Sequence, residues 1–508
     1  MNRPAPLLSI AGHDPTAGAG LTTDLAVWQA MGLHGTSVCT AWTVQDGQGV
    51  RDVQPASPQF LREALRAAGG GAPPGAVKLG MLGSEAVAAE VAEFCEACSA
   101  PVVWDTVLAA AAGGRSLAAL SPHTLQRLAR ASSVITPNRV EAAQLLGVAA
   151  WQASGAPPAE WLRAMREQWL RHGRTRAVVL KGGHAQGAHS VDWLVTRDAL
   201  HALAVPRLPD GDGGRVHGTG CVYAAALAGM LAQGAGLEQA AVEAQWRTHA
   251  AIAQAWRGAG GRAMAHAAAR LDSGSLPAWC EAAPAPADAQ PFPALPRAPG
   301  LYPVLPDADW VLRLLELGVD TLQLRLKQVA GAELRAQLRV AVDAARARGA
   351  QLFINDHWRE ALDAGAFGVH LGQDDLPGAD LTALRGAGTR LGVSTHDLHE
   401  LARAHALRPS YIALGPVWPT TLKVMSHGPL GLARLRDWTA RCKPRYSVVA
   451  IGGISLQRIA PVMDCAVDGV AMVGALVGAT DLPQALRQAQ DSVDGALRWR
   501  RGLLAPSA

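Results

Sequence analysis

Eight short apolar segments recur in the second half of the chain, and their regular spacing constrains the fold more than any other feature of the sequence. Each has the length and residue types of a buried strand, and a stretch long enough for a helix separates it from the next. Eight strands alternating with helices over roughly 200 residues predict a closed (β/α)8 barrel, which carries its catalytic groups at the carboxyl ends of the strands. The segments are LYPVL, TLQLRL, QLFIND, GVHLG, RLGVST, YIALGPV, SVVAIGG and GVAMVG.

Polar residues follow these predicted strands where such a barrel places its active site. Carboxylates after the third and fourth strands suit Mg²⁺, whereas cations, hydroxyl groups and bare glycine N–H groups suit phosphate oxygens. We therefore predict one pocket for a metal diphosphate and a second phosphate; the alternative is an ordinary solvated barrel mouth. The residues include Gln323, Arg325, Lys327, Asn355, Asp356, Asp375, Ser394, Thr420, Thr421, Lys423, Gly452 and Gly453.

The first half of the chain also alternates apolar runs with helical stretches. The runs predict buried strands and, because helices separate them, a parallel sheet with helices on both faces. They are LLSIAG, TSVCTAW, AVKLGML, PVVWDTV, SSVITPN and RAVVLKGG. A stretch rich in proline and alanine, EAAPAPADAQPFPALPRAPG, predicts an extended linker between the halves. We therefore predict domains over residues 1–280 and 300–498, with the linker over residues 281–299.

A glycine-rich turn in the first half, HGTGC, delivers Cys221 to the start of a predicted helix. Free N–H groups at a helix N-terminus attract phosphates and lower the pKa of a thiol among them; plain helix-start geometry is the alternative. Asn138 and Glu141 stand where a strand passes into a helix, so they either face a hydrated Mg²⁺ or cap that helix. Lys181 ends another strand, from which it reaches a nucleotide phosphate. Asp24 either caps a helix or faces a substrate.

Charge and composition exclude several classes of protein. The formal net charge of +4 is small for 508 residues, and the sequence has no basic run like those of proteins that bind nucleic acids or membrane surfaces. We find neither a signal peptide nor an apolar stretch long enough to span a membrane, which predicts a cytoplasmic protein. Seven scattered cysteines predict reduced thiols, and the CxxC pair of Cys95 and Cys98 is interpreted as part of a helix.

The second half resembles the thiamine phosphate synthase family over nearly all of residues 300–490. The resemblance rests on QLRLK, FINDHWREALDAGAFGVHLGQDDLP, LGVSTH, YIALGPVWPTTLK and VAIGGIS. It implies a TIM barrel that couples hydroxymethylpyrimidine diphosphate to a thiazole phosphate and releases pyrophosphate. Asp356 and Asp375 would bind the Mg²⁺ that this reaction uses. Arg325 and Lys423 would be catalytic, because positive charge stabilises the departing pyrophosphate.

The same resemblance implies two sets of binding residues in the barrel. The pyrimidine diphosphate would be held by Gln323, Leu324, Arg325, Leu326, Lys327, Asn355, Ser394 and Lys423. The thiazole phosphate would contact Thr420, Thr421, Leu422, Gly453, Val473 and Gly474. This chain departs from the family pattern at residues 420–423, where Thr-x-Thr-Lys is usual, and at Gly474, where a serine is common.

The first half resembles the hydroxymethylpyrimidine and phosphomethylpyrimidine kinases of the ribokinase-like fold, across about residues 6–260. SIAGHDPTAGAGLTTDL, ITPNRVEAAQLLG, VVLKGGH and HGTGC carry the resemblance. It implies a three-layer αβα domain that phosphorylates hydroxymethylpyrimidine and its monophosphate with ATP. Sugar kinases of this fold have an aspartate base where this chain has Cys221, so the cysteine favours a pyrimidine kinase and would take the proton from the substrate hydroxyl.

The kinase resemblance also implies the residues that bind substrate and nucleotide. Asp24, Gln45 and Met81 would line the pyrimidine. Phosphate and nucleotide would be bound by Asn138, Glu141, Lys181, Gly218, Thr219 and Gly220. The chain departs from the family pattern at residues 108–116 and 208–216. A homo-oligomer would form through the kinase half, and the expected partners are small-molecule substrates rather than nucleic acid or membrane.

The two resemblances name consecutive steps, because the diphosphate made by the first half is the substrate of the second. We therefore predict a bifunctional enzyme of thiamine biosynthesis. One rival is a pyridoxal-type kinase joined to a thiazole tautomerase; Cys221 counts against the first part, and Asp356 and Asp375 with Lys423 count against the second. Another rival is a synthase whose N-terminal domain senses a pyrimidine without turning it over, which the altered kinase loops support.

Overall fold

Two compact units make up the chain. The computed structural model describes residues 6–504 apart from 47–48, 69–72, 109–118, 150, 152–154, 184–186, 210–215, 259–260, 282–289 and 420–427. The first unit comprises Met1–Leu271 and Pro277–Ala287, and the second comprises Asp272–Leu276 and Asp288–Ala508. Residues 282–289 of the predicted linker lie outside the described residues, so the limits of the linker stay a prediction. Among the described residues, no helix is both long enough and apolar enough to cross a membrane.

The first unit is built on a mixed β-sheet. Its strands are β1 (Leu7–His13), β2 (Gly35–Asp46), β3 (Gly49–Pro55), β4 (Val77–Leu79), β5 (Val102–Trp104), β6 (Val134–Ile135), β7 (Ala177–Leu180), β8 (His189–Thr196), β9 (Leu200–Pro206), β10 (Trp256–Arg257), β11 (Ala263–Met264) and β12 (Ala278–Glu281). Ten of them form one sheet in the order β12-β9-β8-β7-β6-β5-β4-β1-β2-β3, and β10 pairs with β11 separately.

The strand directions correct one prediction. The six predicted strands all exist and pair in parallel as expected. However, β3, β8, β9 and β12 join the sheet in antiparallel pairings, so the sheet is mixed rather than parallel. These four strands lie toward the two edges of the sheet, and β3 is only partly buried. The sequence of β3 therefore lacks the continuous apolar run that identifies a strand covered on both faces.

Helices flank the sheet of the first unit. They are α1 (Gly20–Ala30), α2 (Pro58–Ala68), α3 (Glu85–Ala97), α4 (Pro122–Ala131), α5 (Arg139–Leu146), α6 (Ala159–Met165), α7 (Thr219–Ala232) and α8 (Leu237–Ala253), with a π-helical turn over Arg166–Leu170. Helix α7 is buried along most of its length, and Trp28 of α1 donates a hydrogen bond from Nε1 to the Ala225 carbonyl oxygen at 2.7 Å. This packing sets α1 against α7, and the two N-terminal ends meet where Gly20 contacts Cys221.

The second unit is the closed barrel that the apolar segments predict. Eight parallel strands close when β13 pairs with β20, and each predicted segment supplies one of them. The strands are β13 (Gly300–Leu305), β14 (Thr321–Leu324), β15 (Gln351–Asn355), β16 (Gly368–Leu371), β17 (Arg390–Thr395), β18 (Tyr411–Leu414), β19 (Ser447–Ile451) and β20 (Gly469–Met472). The described helices of this unit are α9 (Ala308–Glu316), α10 (Gly331–Ala347), α11 (Trp358–Asp363), α12 (Leu381–Gly386), α13 (Leu398–Leu407), α14 (Gly431–Cys442), α15 (Ile459–Met463), α16 (Gly474–Val477) and α17 (Leu482–Leu504).

Aromatic side chains fill the barrel interior. Tyr302, Phe353 and Tyr411 are buried and meet edge to face, with ring centroids 5.1 to 5.9 Å apart. The large rings fit because a neighbouring strand carries a glycine: a Cβ at Gly392 would lie 2.2 Å from the Tyr411 ring. The interior is therefore a packed core rather than a channel.

Replacing Gly392 with alanine is expected to lower the free energy of unfolding of the second unit by about 1–3 kcal/mol, because the added methyl group overpacks the core against Tyr411. Chemical denaturation followed by the fluorescence of the chain would measure the loss. The matched control is Gly386→Ala at the exposed end of α12, where an added Cβ meets nothing within 4 Å. Equal stability of the two variants would contradict this account of the core.

Candidate active sites

A cavity of about 1100 Å³ opens in the first unit. Its walls come from the carboxyl ends of the parallel strands and from the first turns of α1 and α7, which is where ligands bind in sheets of this kind. Nine of the ten residues predicted for the kinase half line it: Gln45, Met81, Asn138, Glu141, Lys181, Gly218, Thr219, Gly220 and Cys221. The structure therefore brings together motifs that are far apart in the sequence.

Asp24 is the exception, and its prediction needs correcting. It is the fifth residue of α1, so it does not cap the helix, and its side chain is fully buried rather than on the cavity wall. Its Oδ2 atom accepts hydrogen bonds from Ser9 Oγ at 2.6 Å and from Lys78 Nζ at 2.9 Å. Lys78, which sequence reasoning missed, lines the cavity instead. The sequence signal that could have identified Lys78 is the single lysine inside the apolar run AVKLGML.

Cys221 lies at the meeting point of two helices. It is the third residue of α7 rather than the first, and the helix follows Gly218, whose φ of 84° is left-handed. Its Sγ atom accepts a hydrogen bond from the Gly20 N–H at 3.4 Å. Burial raises the pKa of the Cys221 thiol to about 11, although the positive charge of Lys78 acts in the opposite direction. The lowered thiol pKa expected from the helix start is therefore not found, because desolvation outweighs it.

The turn before Cys221 is tightly packed. A Cβ at Gly218 would lie 1.9 Å from the Gly18 carbonyl oxygen, so both the left-handed backbone and the close approach require glycine. The glycine-rich segment after β1 and the turn before α7 can therefore touch. Two helix starts converge there, and backbone N–H groups at helix starts suit the oxygens of a phosphoryl group.

Charged residues border this turn. Lys181 Nζ lies 2.8 Å from Asp105 Oδ1, and a Cβ at Gly220 would lie 3.1 Å from the other Asp105 oxygen. Burial disfavours the charge on Lys181, but the attraction of Asp105 raises its pKa above the ordinary value, so the ammonium stays protonated. This cation therefore lies next to the glycine turn, as expected of a group that binds phosphate.

Asn138 and Glu141 form a capping box at the start of α5. Asn138 Oδ1 accepts hydrogen bonds from the N–H groups of Val140 and Glu141, both at 2.9 Å, and Glu141 Oε2 accepts one from the Asn138 N–H at 2.8 Å. Of the two alternatives left open by the sequence, the geometry is that of the capped helix. Burial raises the pKa of Glu141, and both residues still line the cavity.

Asp14 and His217 form a second contact between the two glycine-rich segments. His217 Nε2 lies 3.0 Å from Asp14 Oδ2, and both residues line the cavity. Burial alone would raise the pKa of Asp14, but the hydrogen bonds from His217 and Thr16 lower it below its ordinary value. Sequence reasoning did not single out this pair, because 203 residues separate its members.

A chain of hydrogen bonds runs through the barrel to one of the predicted site residues. Gln323 Nε2 donates to Tyr302 Oη at 3.1 Å, and the hydroxyl groups of Tyr302 and Tyr411 lie 2.8 Å apart. His370 then bridges Tyr411 Oη at 2.7 Å and Ser394 Oγ at 2.8 Å. Burial lowers the pKa of His370 to about 3, so its imidazole is neutral. The sequence analysis predicted Gln323 and Ser394 but missed His370, which orients Ser394.

Asp356 and Asp375 lie together as predicted. Burial and the neighbouring Asp375 carboxylate raise the pKa of Asp356 to about 6, and a hydrogen bond between the two side chains adds to the shift. Asp356 also has a left-handed φ of 65°, unusual for a residue other than glycine. Two close carboxylates fit Mg²⁺, which is bound in proteins through one or two carboxylates plus water and substrate oxygens. No larger cluster of His, Cys, Asp and Glu is placed to hold a metal in the part of the chain that the structure describes.

The other predicted barrel residues lie at or beyond the ends of the strands. Arg325 follows β14, and its positive charge acts on both Asp356 and His370. Leu324, Leu326 and Asn355 are buried, whereas Lys327 is exposed. Gly453 follows β19, and Val473 and Gly474 follow β20. The predicted Thr420, Thr421, Leu422 and Lys423 lie outside the described residues.

Comparison with known proteins gives a family match for each half of the chain. Residues 301–476 match the family described as thiamine monophosphate synthase. The chain is 48% identical over 205 residues to the thiamine-phosphate synthase of Serratia proteamaculans, covering 40% of this chain and 96% of that protein. It is also 48% identical over 209 residues to the Photorhabdus laumondii thiamine-phosphate synthase, with the same coverage of 40% and 96%. The chain belongs to the thiamine-phosphate synthase family.

The first half of the chain matches a second family model. Residues 14–265 match the family described as phosphomethylpyrimidine kinase. The predicted combination of a phosphomethylpyrimidine kinase with a thiamine-phosphate synthase barrel is thus confirmed, and the rival pairings are not favoured. Similar solved structures include a phosphomethylpyrimidine kinase from Clostridium difficile (28% identity, TM-score 0.38, 47% of this chain and 94% of that chain) and a pyridoxal kinase from Staphylococcus aureus (27% identity, TM-score 0.46, 52% and 94%). With TM-scores below 0.5, these two do not bear on the assignment.

Proposed function

We propose that the first unit phosphorylates hydroxymethylpyrimidine and its monophosphate with ATP, and that the second unit couples the resulting diphosphate to a thiazole phosphate. The observation that carries the proposal is the position of Cys221, which lines the cavity at the converging starts of α1 and α7. An aspartate base in that position would favour a sugar kinase, whereas a cysteine favours a pyrimidine kinase. The product of this step is a substrate for the adjoining synthase family barrel.

In the kinase step, the thiolate form of Cys221 accepts the proton of the substrate hydroxyl as the hydroxyl oxygen attacks the γ-phosphorus of ATP. The O–H bond breaks and an S–H bond forms, while the new O–P bond replaces the bond to the β-phosphate oxygen and ADP leaves. Backbone N–H groups of the turn Gly218–Gly220 hold the phosphoryl oxygens, and Lys181 stabilises their charge. Gln45 and Met81 line the part of the cavity that takes the pyrimidine.

In the synthase step, departure of pyrophosphate from the pyrimidine methylene carbon leaves a cation that the electron-rich ring stabilises, so no protein nucleophile is needed. Asp356 and Asp375 would hold Mg²⁺, which, when bound, neutralises charge on the leaving group. Arg325 binds the diphosphate oxygens, and Ser394 is oriented toward the substrate by His370. Gln323 and Asn355 orient the pyrimidine. Gly453, Val473 and Gly474, with Thr420, Thr421 and Leu422, would contact the thiazole phosphate. Lys423 would complete the pyrimidine diphosphate site.

The test supplies the purified chain with hydroxymethylpyrimidine, ATP, Mg²⁺ and thiazole phosphate, and measures thiamine phosphate as its fluorescent oxidised form. Product formation is the expected result. Formation of product only when the pyrimidine diphosphate is supplied directly would refute the kinase assignment. Absence of product even then would refute the synthase assignment.

The Asp356–Asp375 pair predicts a pH-dependent effect of Mg²⁺ on stability. The pKa of Asp356 is raised from its ordinary 3.8 to about 6, so the folded metal-free protein binds the extra proton between these values. Protonation of Asp356 therefore stabilises the folded state to its full extent below pH 3.8, and this stabilisation is lost as the pH rises through about 6. Mg²⁺ should raise the melting temperature at pH 7.5 and should have little effect at roughly pH 5, where Asp356 is protonated. Equal effects at both pH values, or an unchanged effect in Asp375→Asn, would contradict the metal assignment.

A further inference from the structure

Lys78 is a buried charged residue of the kinase cavity that has no role in the proposed mechanism. It lies in the middle of the three-residue strand β4, its side chain has 0% exposure, and it lines the cavity. Placing an ammonium group away from water costs several kcal/mol unless it is paired. Asp24 supplies a single carboxylate oxygen at 2.9 Å, and Ser9 holds that oxygen at 2.6 Å. The lysine is therefore fixed in place by residues from β1 and α1.

Cys221 is close enough to this ammonium group for the two to interact electrostatically. Helix α7 packs against β4, and both Cys221 and Lys78 line the same cavity. The charged groups that face the thiol are Lys78 from β4, Asp24 from α1, Asp105 after β5 and Lys181 after β7. They form two ion pairs, Lys78 with Asp24 and Lys181 with Asp105. Two of the cavity's cations, Lys78 and Lys181, thus act on the thiol.

The two cations differ in what they can reach. Lys181 is about 16% exposed in its side chain and lies beside the glycine turn, so it is available to a phosphate. Lys78 has no exposed area, and the carboxylate of Asp24 anchors it under the cavity. A bound phosphate would pair with the ammonium group of Lys181. Lys78 would then remain as the cation that acts on the Cys221 thiol. Cationic neighbours favour the thiolate, which is the form that accepts a proton.

We propose that Lys78 is a positioning residue for the kinase step: its buried ammonium, anchored by Asp24, electrostatically favours the thiolate of Cys221 and so prepares that atom to take the substrate proton. The inference rests on the proposed function of Cys221. It accounts for a charge kept inside an otherwise apolar strand, and for the opposition between desolvation and Lys78 in setting the pKa of the thiol.

The test measures how the reactivity of the Cys221 thiol depends on pH. The full chain and its variants are treated with iodoacetamide across a range of pH, and modification of the peptide that contains Cys221 is followed by mass spectrometry. Lys78→Met should move the midpoint of alkylation upward by one pH unit or more, which at pH 8 is a loss of rate of about tenfold. The kcat of the kinase step should fall by a similar factor, with the KM for the pyrimidine changed by less than about twofold, because Lys78 acts on the proton acceptor rather than on substrate binding.

Two further variants distinguish an effect on the Cys221 thiol from a general loss of folding. The double variant Lys78→Met/Asp24→Asn removes both charges, so it leaves no unpaired buried carboxylate and should fold. Its alkylation midpoint should still rise, but by less than in Lys78→Met, because Asp24 opposes Lys78 at the thiol with the smaller effect. Arg247→Met, the control, breaks another buried ion pair of the same unit, Arg247 with Glu243 at 2.7 Å, and should leave the alkylation midpoint unchanged.

A folded double variant with an unchanged midpoint would overturn the proposal. Loss of the folded state in both Lys78 variants would overturn it too, since the pair would then serve folding. Alkylation does not depend on turnover, so either failure is distinct from failure of the proposed function, which would appear as kinase activity retained without the thiol.

Discussion

Replacing Cys221 with alanine is expected to lower the kcat for phosphorylation of hydroxymethylpyrimidine by about 10²- to 10⁴-fold, the range associated with loss of a general base. The thiol contacts the Gly20 N–H at 3.4 Å and lines the cavity, whereas alanine leaves the substrate hydroxyl without a proton acceptor. Consumption of ATP in the presence of the pyrimidine measures the effect. Coupling of supplied pyrimidine diphosphate should be unchanged, because the barrel has a separate set of residues.

The matched control is Cys280→Ala. Cys280 is a buried cysteine of β12 in the same unit, and it does not line the cavity. Its loss tests whether removing any buried thiol impairs the kinase. Full phosphorylation activity in Cys221→Ala would exclude the thiol from the mechanism, and equal impairment of both variants would assign the effect to stability.

Replacing Asp375 with alanine is expected to abolish the synthase step, with a loss of at least about 10³-fold in kcat, and to spare phosphorylation. One carboxylate of the pair would remain, and a single carboxylate without its neighbour holds Mg²⁺ poorly. The charge that builds on the departing pyrophosphate would then lack its neutralising ion. Formation of thiamine phosphate from supplied pyrimidine diphosphate, over a series of Mg²⁺ concentrations, measures the effect.

Asp374 offers a control one residue away. Its side chain is exposed, whereas Asp375 is partly buried beside Asp356. Asp374→Ala changes the net charge by the same amount and should keep most of the coupling activity. Normal Mg²⁺-dependent coupling in Asp375→Ala would refute the metal assignment, as would an equal loss in both variants.

The barrel could be predicted from the sequence because of how its strands are buried. Parallel strands covered by helices on one side and by the core on the other appear as continuous apolar runs, and eight such runs were present. Strands β3 and β8 of the first unit lack this property. Strand β8 includes His189, Ser190 and Asp192, and β3 is only partly buried, so neither resembles a buried strand in sequence.

The candidate sites could be predicted only in part. Motifs identified the residues that meet in the kinase cavity, because the glycine turn and the strand ends have recognisable spacing. They did not identify the environment of those residues. The thiol pKa of Cys221 and the Asp24–Lys78 pair depend on helices and strands that pack from distant parts of the chain, and His370 reaches Ser394 through a neighbouring strand. The lysine inside AVKLGML is the one local sign of these effects in the sequence, and it does not identify Asp24 as the partner of Lys78.

The aromatic core of the barrel has a kinetic consequence. Tyr302, Phe353 and Tyr411 block the interior below the site, so every reactant and product exchanges through the mouth at the carboxyl ends of the strands. In the proposed site, a pyrimidine diphosphate bound next to Gln323 and Ser394 would lie deeper than the reactant that binds after it. Exchange through a single opening imposes an order of binding and release. The deeper reactant binds first, and the product that occupies its place is released last. Excess of the shallower reactant would then inhibit the reaction by occupying the entrance too early.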